Sequence, residues 1–278
     1  MKIAHHLIEA LRLLAGLIGR GGEYMVLQVR RWASSFLSIC ALFYRLLVTS
    51  FSTLSGLPLL RRELTQQVYF SSIQVMPVLV FAALMLGFLV IVHATPQLVM
   101  LQGEEFVGWL LVTIVVREVG PVLAAFFVLL HSGSAITVEI GTMSVSRETE
   151  TLKLLGIDPY HLLGVPRFWA VTFSVLSLYL LAAFSSILGG FLFSQLFAEI
   201  FWGLFWLSFI NSLEWVDVAM GFSKCIAFGM LIATVCIFFG FQARHDMEEV
   251  ARFTSKATLT ALVLCGSVDI ILTTAYYL

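Results

Sequence analysis

Charge is scarce in this chain. Asp, Glu, Lys and Arg make up only 12% of its 278 residues, whereas 60% of the residues are hydrophobic. A soluble domain carries about 25% charged residues, and this much apolar side chain has no room in one water-soluble core. The composition therefore excludes an ordinary soluble domain. A net charge of −1 without a basic stripe also gives no reason to expect nucleic-acid binding.

Motifs for catalysis and metal binding are missing as well. The chain has no HExxH, no GxSxG and no GxxxxGKS/T, and of its six histidines only the adjacent His5 and His6 have ligand-like spacing. The four cysteines form no CxxC, so we interpret them as small buried residues. We expect neither an enzyme nor a cofactor or metal in this chain. If ATP drives the protein, a partner subunit binds it.

Long apolar runs are what the chain has in abundance. Five of them reach the roughly 20 residues that a helix needs to cross a bilayer. They cover residues 69–93, 106–131, 168–193, 216–240 and 257–278, and the second can continue as helix to residue 141. Proline 77 is expected to kink the first. The predicted fold class is an all-α integral membrane protein with five transmembrane helices.

The N-terminal region has a different pattern. Residues 3–18 place apolar side chains on one helical face and polar ones on the other, which is typical of an amphipathic helix in the membrane interface. The apolar runs 32–44 and 46–60 are short and bordered by arginines, which favours one or two surface helices, with a spanning hairpin as the alternative. We predict a membrane-surface region over 1–62 and a five-span domain over 63–278.

The basic residues predict the orientation. Segments 1–68, 141–167 and 241–256 hold 14 of the 16 Lys and Arg residues, whereas segments 94–105 and 194–215 hold none. Cytoplasmic loops of membrane proteins are enriched in Lys and Arg. We therefore expect a cytoplasmic N-terminus and, after five spans, a C-terminus on the outer side.

Four ionisable side chains lie well inside the predicted spans: Arg117, Glu118, Lys224 and Asp269. Such residues are costly in lipid unless they are paired or face water, so each is a candidate functional residue. At about 1.5 Å of rise per residue, all four fall near the midplane or in the outer half of the bilayer. They can converge on one polar cavity that opens to the outside. Two buried salt bridges that only fix helix packing are the alternative.

Residues 147–155 form a predicted short helix with a leucine patch in the loop between spans two and three. Gly156 can cap this helix in the left-handed conformation, and Asp158 begins the turn that follows. An exposed leucine patch on a membrane protein suggests docking to a soluble partner, and a helix resting on lipid headgroups is the alternative. The candidate docking residues are Glu148, Glu150, Leu152, Leu155, Gly156 and Asp158.

Small residues recur at every fourth position in three spans. The rows are Gly133-Thr137-Gly141, Ala182-Ser186-Gly190 and Gly221-Cys225-Gly229-Ala233. Such rows let helix backbones approach closely. We expect them to pack helices within the chain, and a contact between subunits is the alternative.

Four stretches together resemble the MlaE/YrbE-type permeases of ABC transporters, which work with MCE-domain proteins in lipid trafficking across the Gram-negative envelope. They are Arg117-Glu118-Val119-Gly120-Pro121, Ala135-Ile136-Thr137-Val138-Glu139-Ile140-Gly141-Thr142-Met143, Leu155-Gly156-Ile157-Asp158-Pro159 and Pro166-Arg167-Phe168-Trp169-Ala170. The likeness extends from about residue 60 to the C-terminus and includes Asp269. The chain departs from the family pattern at residues 131–134 and in the charged loop 243–250.

The resemblance implies the permease subunit of a lipid ABC transporter in the bacterial inner membrane, with a periplasmic C-terminus. Such a permease is a homodimer that pairs with two ATPase subunits through the loop between spans two and three. It implies a lipid pocket that a periplasmic MCE-domain protein caps, with Arg117 and Glu118 as pocket residues and 148–158 as the ATPase-coupling segment. The expected cargo is phospholipids or similar hydrophobic molecules. An ATP-independent secondary transporter or membrane scaffold is the alternative, although no convincing internal repeat supports it.

Overall fold

The structure is a computed structural model that describes residues 36–50, 67–69, 71–100, 106–197 and 202–278. The predicted amphipathic helix at residues 3–18 and the run 51–60 lie outside the described residues. By its internal contacts the chain divides between Arg45 and Leu46. The predicted division after residue 62 stays a prediction.

Helices make up nearly all of the described part of the chain, which contains no strand. We number them α1 (Phe36–Ser50), α2 (Met76–Met100), α3 (Val107–Val145), α4 (Glu148–Leu154), α5 (Val165–Phe197), α6 (Trp202–Ser212), α7 (Trp215–Gly240) and α8 (Met247–Tyr277).

Among the described residues, five helices are long and apolar enough to cross a membrane, as predicted. They are Met76–Ala94, Val107–Val145, Tyr160–Gln195, Trp215–Gly240 and Met247–Tyr277. The shorter helix α1 continues through Arg45 without a break. Its 15 residues are fewer than a bilayer crossing needs.

The predicted first span, 69–93, is interrupted just before Pro77: residues 71–73 are helical and are followed by a break. Residues 74 and 75 form a turn, and α2 begins at Met76. Proline is well tolerated in the first turn of a helix, because the N–H groups there have no partner within the helix. Pro77 therefore lies in the first turn of α2, directly after the break at residues 74 and 75, and the predicted kink stays a prediction.

The fifth span begins about ten residues earlier than predicted. The charged stretch 243–250 contains the start of α8, with Asp246 as the residue that precedes it. The Glu249 carboxylate accepts the backbone N–H groups of Arg244 and His245, each at 3.0 Å. Glu249 therefore holds the two residues that precede Asp246 against the first turn of α8.

Helix α3 is interrupted by two π-helical segments. The first π segment is Val112–Val119 and contains Arg117 and Glu118, and the second is Leu129–Gly133 and contains His131. A third π segment, Tyr160–Gly164, leads into α5. A π turn holds an extra residue and so rotates all side chains that follow, and it is frequent at functional sites.

The small-residue rows pack helices within the chain, as expected. Among the described helices, α2 and α5 make the most extensive contact. A Cβ added at Gly190 of α5 would lie 2.5 Å from a Leu111 methyl of α3. One added at Gly229 would lie 2.6 Å from Thr172 Cα, and one at Gly141 would lie 2.9 Å from Val250. Each glycine thus allows a backbone approach that a side chain would prevent.

The segment 194–215 contains a helix, α6, where the sequence indicated only a loop. Helix α6 packs on the first turns of α3, where the Gly108 N–H donates to Ser208 Oγ at 3.1 Å. Phe205 is buried in a cluster with Leu111 and Val115. Helix α6 has eleven residues, too few to cross a bilayer, so run length alone does not predict it.

The close approach at Gly229 can be tested by replacement. We expect Gly229→Ala to lower the melting temperature of the detergent-solubilised protein, because overpacking costs about 1–3 kcal/mol. The control is Gly266→Ala in α8, where an added Cβ meets nothing within 4 Å. That variant should melt no lower than the original chain, because alanine favours a helix by about 1 kcal/mol over glycine. Equal melting of the two variants would contradict the packing assignment.

Candidate functional site

Three of the four predicted ionisable residues meet at one point between helices α3, α7 and α8. Lys224 Nζ lies 2.7 Å from Glu118 Oε2 and 2.9 Å from Asp269 Oδ1. It also donates to the Thr273 hydroxyl at 2.8 Å, and that hydroxyl lies 3.2 Å from Glu118 Oε2. We call Glu118, Lys224 and Asp269 the ionic triad. These three residues therefore meet, and the polar cavity open to the outside stays a prediction.

Arg117 does not join the triad and has a separate set of partners. Its guanidinium forms an ion pair with Asp217 and donates to the Tyr277 hydroxyl at 2.9 Å. It also lies over the Tyr276 ring, 4.7 Å from the centroid. Cations over aromatic faces are attracted by the ring quadrupole. Arg117 is thus anchored to the beginning of α7 and the end of α8.

Asp217 is the charged residue that sequence reasoning missed. It lies three residues after Glu214, at the start of α7, where its carboxylate also accepts the Glu214 N–H at 3.2 Å. Acidic residues at helix N-termini are commonly caps, so its position at the edge of a span gave no sign of a second partner. Its side chain is only 1% exposed. A buried carboxylate needs a cationic partner, which here is Arg117.

Helical spacing explains how three helices bring these groups together. Asp217 and Lys224 are seven residues apart and share one face of α7, and Asp269 and Thr273 are four apart on α8. Arg117 and Glu118 are consecutive, so their side chains leave the first π segment in different directions. One therefore reaches Asp217 and the other reaches Lys224.

Burial divides the five charged side chains into two groups. Lys224 is 0% exposed and Asp217 1%, whereas Glu118 is 30%, Asp269 22% and Arg117 13% exposed. The three carboxylates outnumber the two cations by one. Glu118 and Asp269 are the most accessible, and the buried Lys224 holds them in place.

Helix α4 forms where the short loop helix was predicted, and Gly156 caps its C-terminus. The Gly156 N–H donates to the Lys153 carbonyl and the Ile157 N–H to the Leu152 carbonyl, both at 3.0 Å. With Gly156 at φ +76°, this is the Schellman arrangement. Asp158 Oδ1 then accepts the Tyr160 N–H at 3.1 Å. The C-terminal end of the loop helix is therefore set by local sequence.

The leucine patch of α4 is accessible. Leu154 is 88% exposed and Leu155 69% exposed, and Ile157 adds to the same patch at 41%. Leu152 is only half-buried. Glu148 and Glu150 lie in the first turn, where acidic side chains are favourable, and Lys153 lies in the last turn. The docking role of these residues stays a prediction.

An ion pair connects the two helices that flank α4. Arg167 near the start of α5 lies 2.8 Å from Glu139 of α3, and its guanidinium also donates to the Leu163 carbonyl at 2.9 Å. Arg167 is almost fully buried, whereas Glu139 is half exposed. The pair closes the loop that carries α4, so α4 is held at both ends.

Comparison with known proteins identifies the family. The family model described as Permease MlaE matches residues 64–275 of this chain. The chain belongs to the MlaE permease family. The match covers all five spans and the residues of the ionic triad, and it also covers α4.

Relatives of this MlaE-family permease occur in several bacteria and in a plant. The intermembrane phospholipid transport system permease protein MlaE of Haemophilus influenzae is 27% identical over 80% of this chain and 87% of its own length. A probable ABC transporter permease protein of Rickettsia typhi is 26% identical over 74% of this chain and 80% of its own. The chloroplastic TRIGALACTOSYLDIACYLGLYCEROL 1 protein of Arabidopsis thaliana is 27% identical over 62% of this chain and 49% of its own.

These matches support the predicted ABC transporter permease and give no support to an ATP-independent transporter or a scaffold. The MlaE-family permease is a multi-pass membrane protein, with five apolar helices of spanning length in the part of the chain that the structure describes.

The triad can be tested through stability. We expect Lys224→Met to lower the free energy of unfolding by about 3–5 kcal/mol, because it leaves two carboxylates together without a cation. The triple variant Lys224→Met/Glu118→Gln/Asp269→Asn should recover much of that loss. The measurement is thermal unfolding in nanodiscs, with the exposed Lys256→Met of α8 as the control. If the single and triple variants unfold at the same temperature, Lys224 does not hold the carboxylates.

Proposed function

We propose that this MlaE-family permease is the membrane subunit of an ABC transporter that moves phospholipids or similar hydrophobic molecules between the inner membrane and a periplasmic MCE-domain protein. The observation that carries the proposal is the match of the Permease MlaE model to residues 64–275. The named function of the Haemophilus influenzae relative, intermembrane phospholipid transport, supports the choice of cargo.

The ionic triad and Arg117 are the proposed cargo contacts. Ionisable groups inside spans mark pathways for polar parts of a substrate, and a phospholipid has one charged headgroup on an apolar body. Glu118 and Asp269 are accessible enough to touch a headgroup, whereas the fully buried Lys224 acts by holding them. Arg117 would share its guanidinium between Asp217 and an anionic phosphate.

The proposed assembly is a homodimer with two ATPase subunits that dock on α4. The exposed Leu154 and Leu155 offer the apolar contact, and the Glu139–Arg167 pair joins the helices on either side of it. ATP is bound by those separate subunits. The Lys- and Arg-rich segments 1–68, 141–167 and 241–256 support a cytoplasmic N-terminus, an α4 in the cytoplasm and a periplasmic C-terminus.

Docking can be tested on α4 itself. We expect the double variant Leu154→Asp/Leu155→Asp to abolish copurification with the ATPase subunit, because buried carboxylates without partners are strongly unfavourable at an interface. Thr151→Asp is the control, since it adds a charge to an exposed position of the same helix without removing an apolar contact. Full copurification of the double variant would refute docking through this helix.

The cargo can be identified by lipid analysis of the purified complex. We expect native mass spectrometry to find retained phospholipid, and Glu118→Gln/Asp269→Asn to reduce the retained amount several-fold because the polar contacts are weakened. Lys256→Met, outside the site, should retain as much lipid as the original chain. A complex that retains no phospholipid, or variants that all retain equal amounts, would contradict the proposed cargo site.

A further inference from the structure

The first π segment leaves one backbone carbonyl without a partner in its own helix. In a π-helix each carbonyl accepts the N–H of the residue five positions later. The Gly120 N–H donates in this way to the Val115 carbonyl. The next donor would be residue 121, which is proline and has no N–H. The Val116 carbonyl therefore needs a donor from elsewhere, because an unpaired carbonyl in an apolar interior is costly.

That donor is the hydroxyl of Tyr179, a residue of α5. Tyr179 Oη donates to the Val116 carbonyl at 3.0 Å, and the side chain is only 1% exposed. The space for it depends on Gly221 of α7, where an added Cβ would lie 2.1 Å from the hydroxyl. Gly120 also borders the ring, because an added Cβ there would lie 3.3 Å from it.

The carbonyl that Tyr179 binds belongs to the residue immediately before Arg117 and Glu118. If the π segment changed to ordinary α-helix, the register would shift by one residue, which is a rotation of about 100°. Glu118 would then turn away from Lys224, and Arg117 would turn away from Asp217. The direction of both side chains therefore depends on the π register.

We propose that Tyr179 is a positioning residue for the ionic site: its hydroxyl supplies the hydrogen bond that Pro121 cannot, and so keeps Arg117 and Glu118 turned toward their partners. Tyr179 stands on α5, an unbroken helix that begins two residues before Arg167. A displacement of α5 at the loop that carries α4 would therefore reach Val116 through this hydrogen bond. Only this effect of an α5 displacement and the ATP-hydrolysis measurement below rest on the proposed function.

The direct test is hydrogen–deuterium exchange on the purified chain in nanodiscs. Tyr179→Phe removes only the hydroxyl, and we expect amide exchange in residues 112–120 to become about three- to tenfold faster, which corresponds to the loss of one hydrogen bond. The control is Thr172→Val, also on α5 and buried, whose hydroxyl bonds within its own helix to the Phe168 carbonyl at 2.8 Å. Exchange in residues 112–120 should be unchanged in that variant.

A rescue variant separates positioning from general packing. In Tyr179→Phe/Pro121→Ala, residue 121 regains an N–H that can bind the Val116 carbonyl, so exchange in residues 112–120 should return toward that of the original chain. If Tyr179→Phe exchanges like Thr172→Val, or if Pro121→Ala gives no rescue, the proposal is overturned. None of these measurements requires an ATPase or a cargo.

The ATP-hydrolysis measurement uses the complete transporter in detergent micelles to which phospholipid is added. Tyr179→Phe should raise the phospholipid concentration that half-maximally stimulates ATP hydrolysis by about three- to tenfold and leave the rate without phospholipid unchanged. Thr172→Val should change neither quantity. If Tyr179→Phe exchanges faster but phospholipid does not stimulate ATP hydrolysis by the transporter with the original chain, the proposed cargo is rejected and the positioning role stands. Faster exchange with an unchanged phospholipid response in Tyr179→Phe would overturn the role of Tyr179 at the ionic site.

Discussion

The buried ammonium group of Lys224 is the constraint on which the arrangement of the spans depends. A lysine without solvent contact is strongly unfavourable unless carboxylates surround it, and its two carboxylates come from different helices. Glu118 belongs to α3 and Asp269 to α8, so the pairing requires that α3, α7 and α8 meet at this level of the bundle. Arg117 and Asp217 repeat the requirement between α3 and α7.

Close helix packing is the second requirement, and glycine meets it. The contacts of α5 with α7 and of α3 with α8 pass through Gly229 and Gly141, where a side chain would collide with the neighbouring helix. Lipid does not drive apolar helices together as water does, so association in a membrane relies on such packing and on polar contacts. The fold combines both: small residues bring the backbones close, and charged groups determine which faces meet.

The ionic site and the loop helix α4 share helix α3. Glu118 lies in its first π segment, whereas Glu139 lies near its other end and pairs with Arg167 at the beginning of α5. Helix α5 returns toward the ionic site and contacts it through Tyr179 and the Val116 carbonyl. Helices α3 and α5 thus both run from the flanks of α4 to the charged residues. They contact each other through the Glu139–Arg167 ion pair at one end and through Tyr179 and the Val116 carbonyl at the other. These contacts form a physical connection between the loop that carries α4 and the ionic site.

Local sequence was sufficient to predict much of this structure. The five spans, the positions of Arg117, Glu118, Lys224 and Asp269, the loop helix and its Gly156 cap all follow from apolar run length and from residues within a few positions of one another. Tertiary structure alone decided that Arg117 pairs with Asp217, that Tyr179 serves the Val116 carbonyl, and that α6 forms in an apolar loop. The reason is physical: spacing along a helix determines which residues share a face, but partners on other helices depend on how the faces pack. A π segment also shifts the register in a way that a regular 3.6-residue period does not reveal.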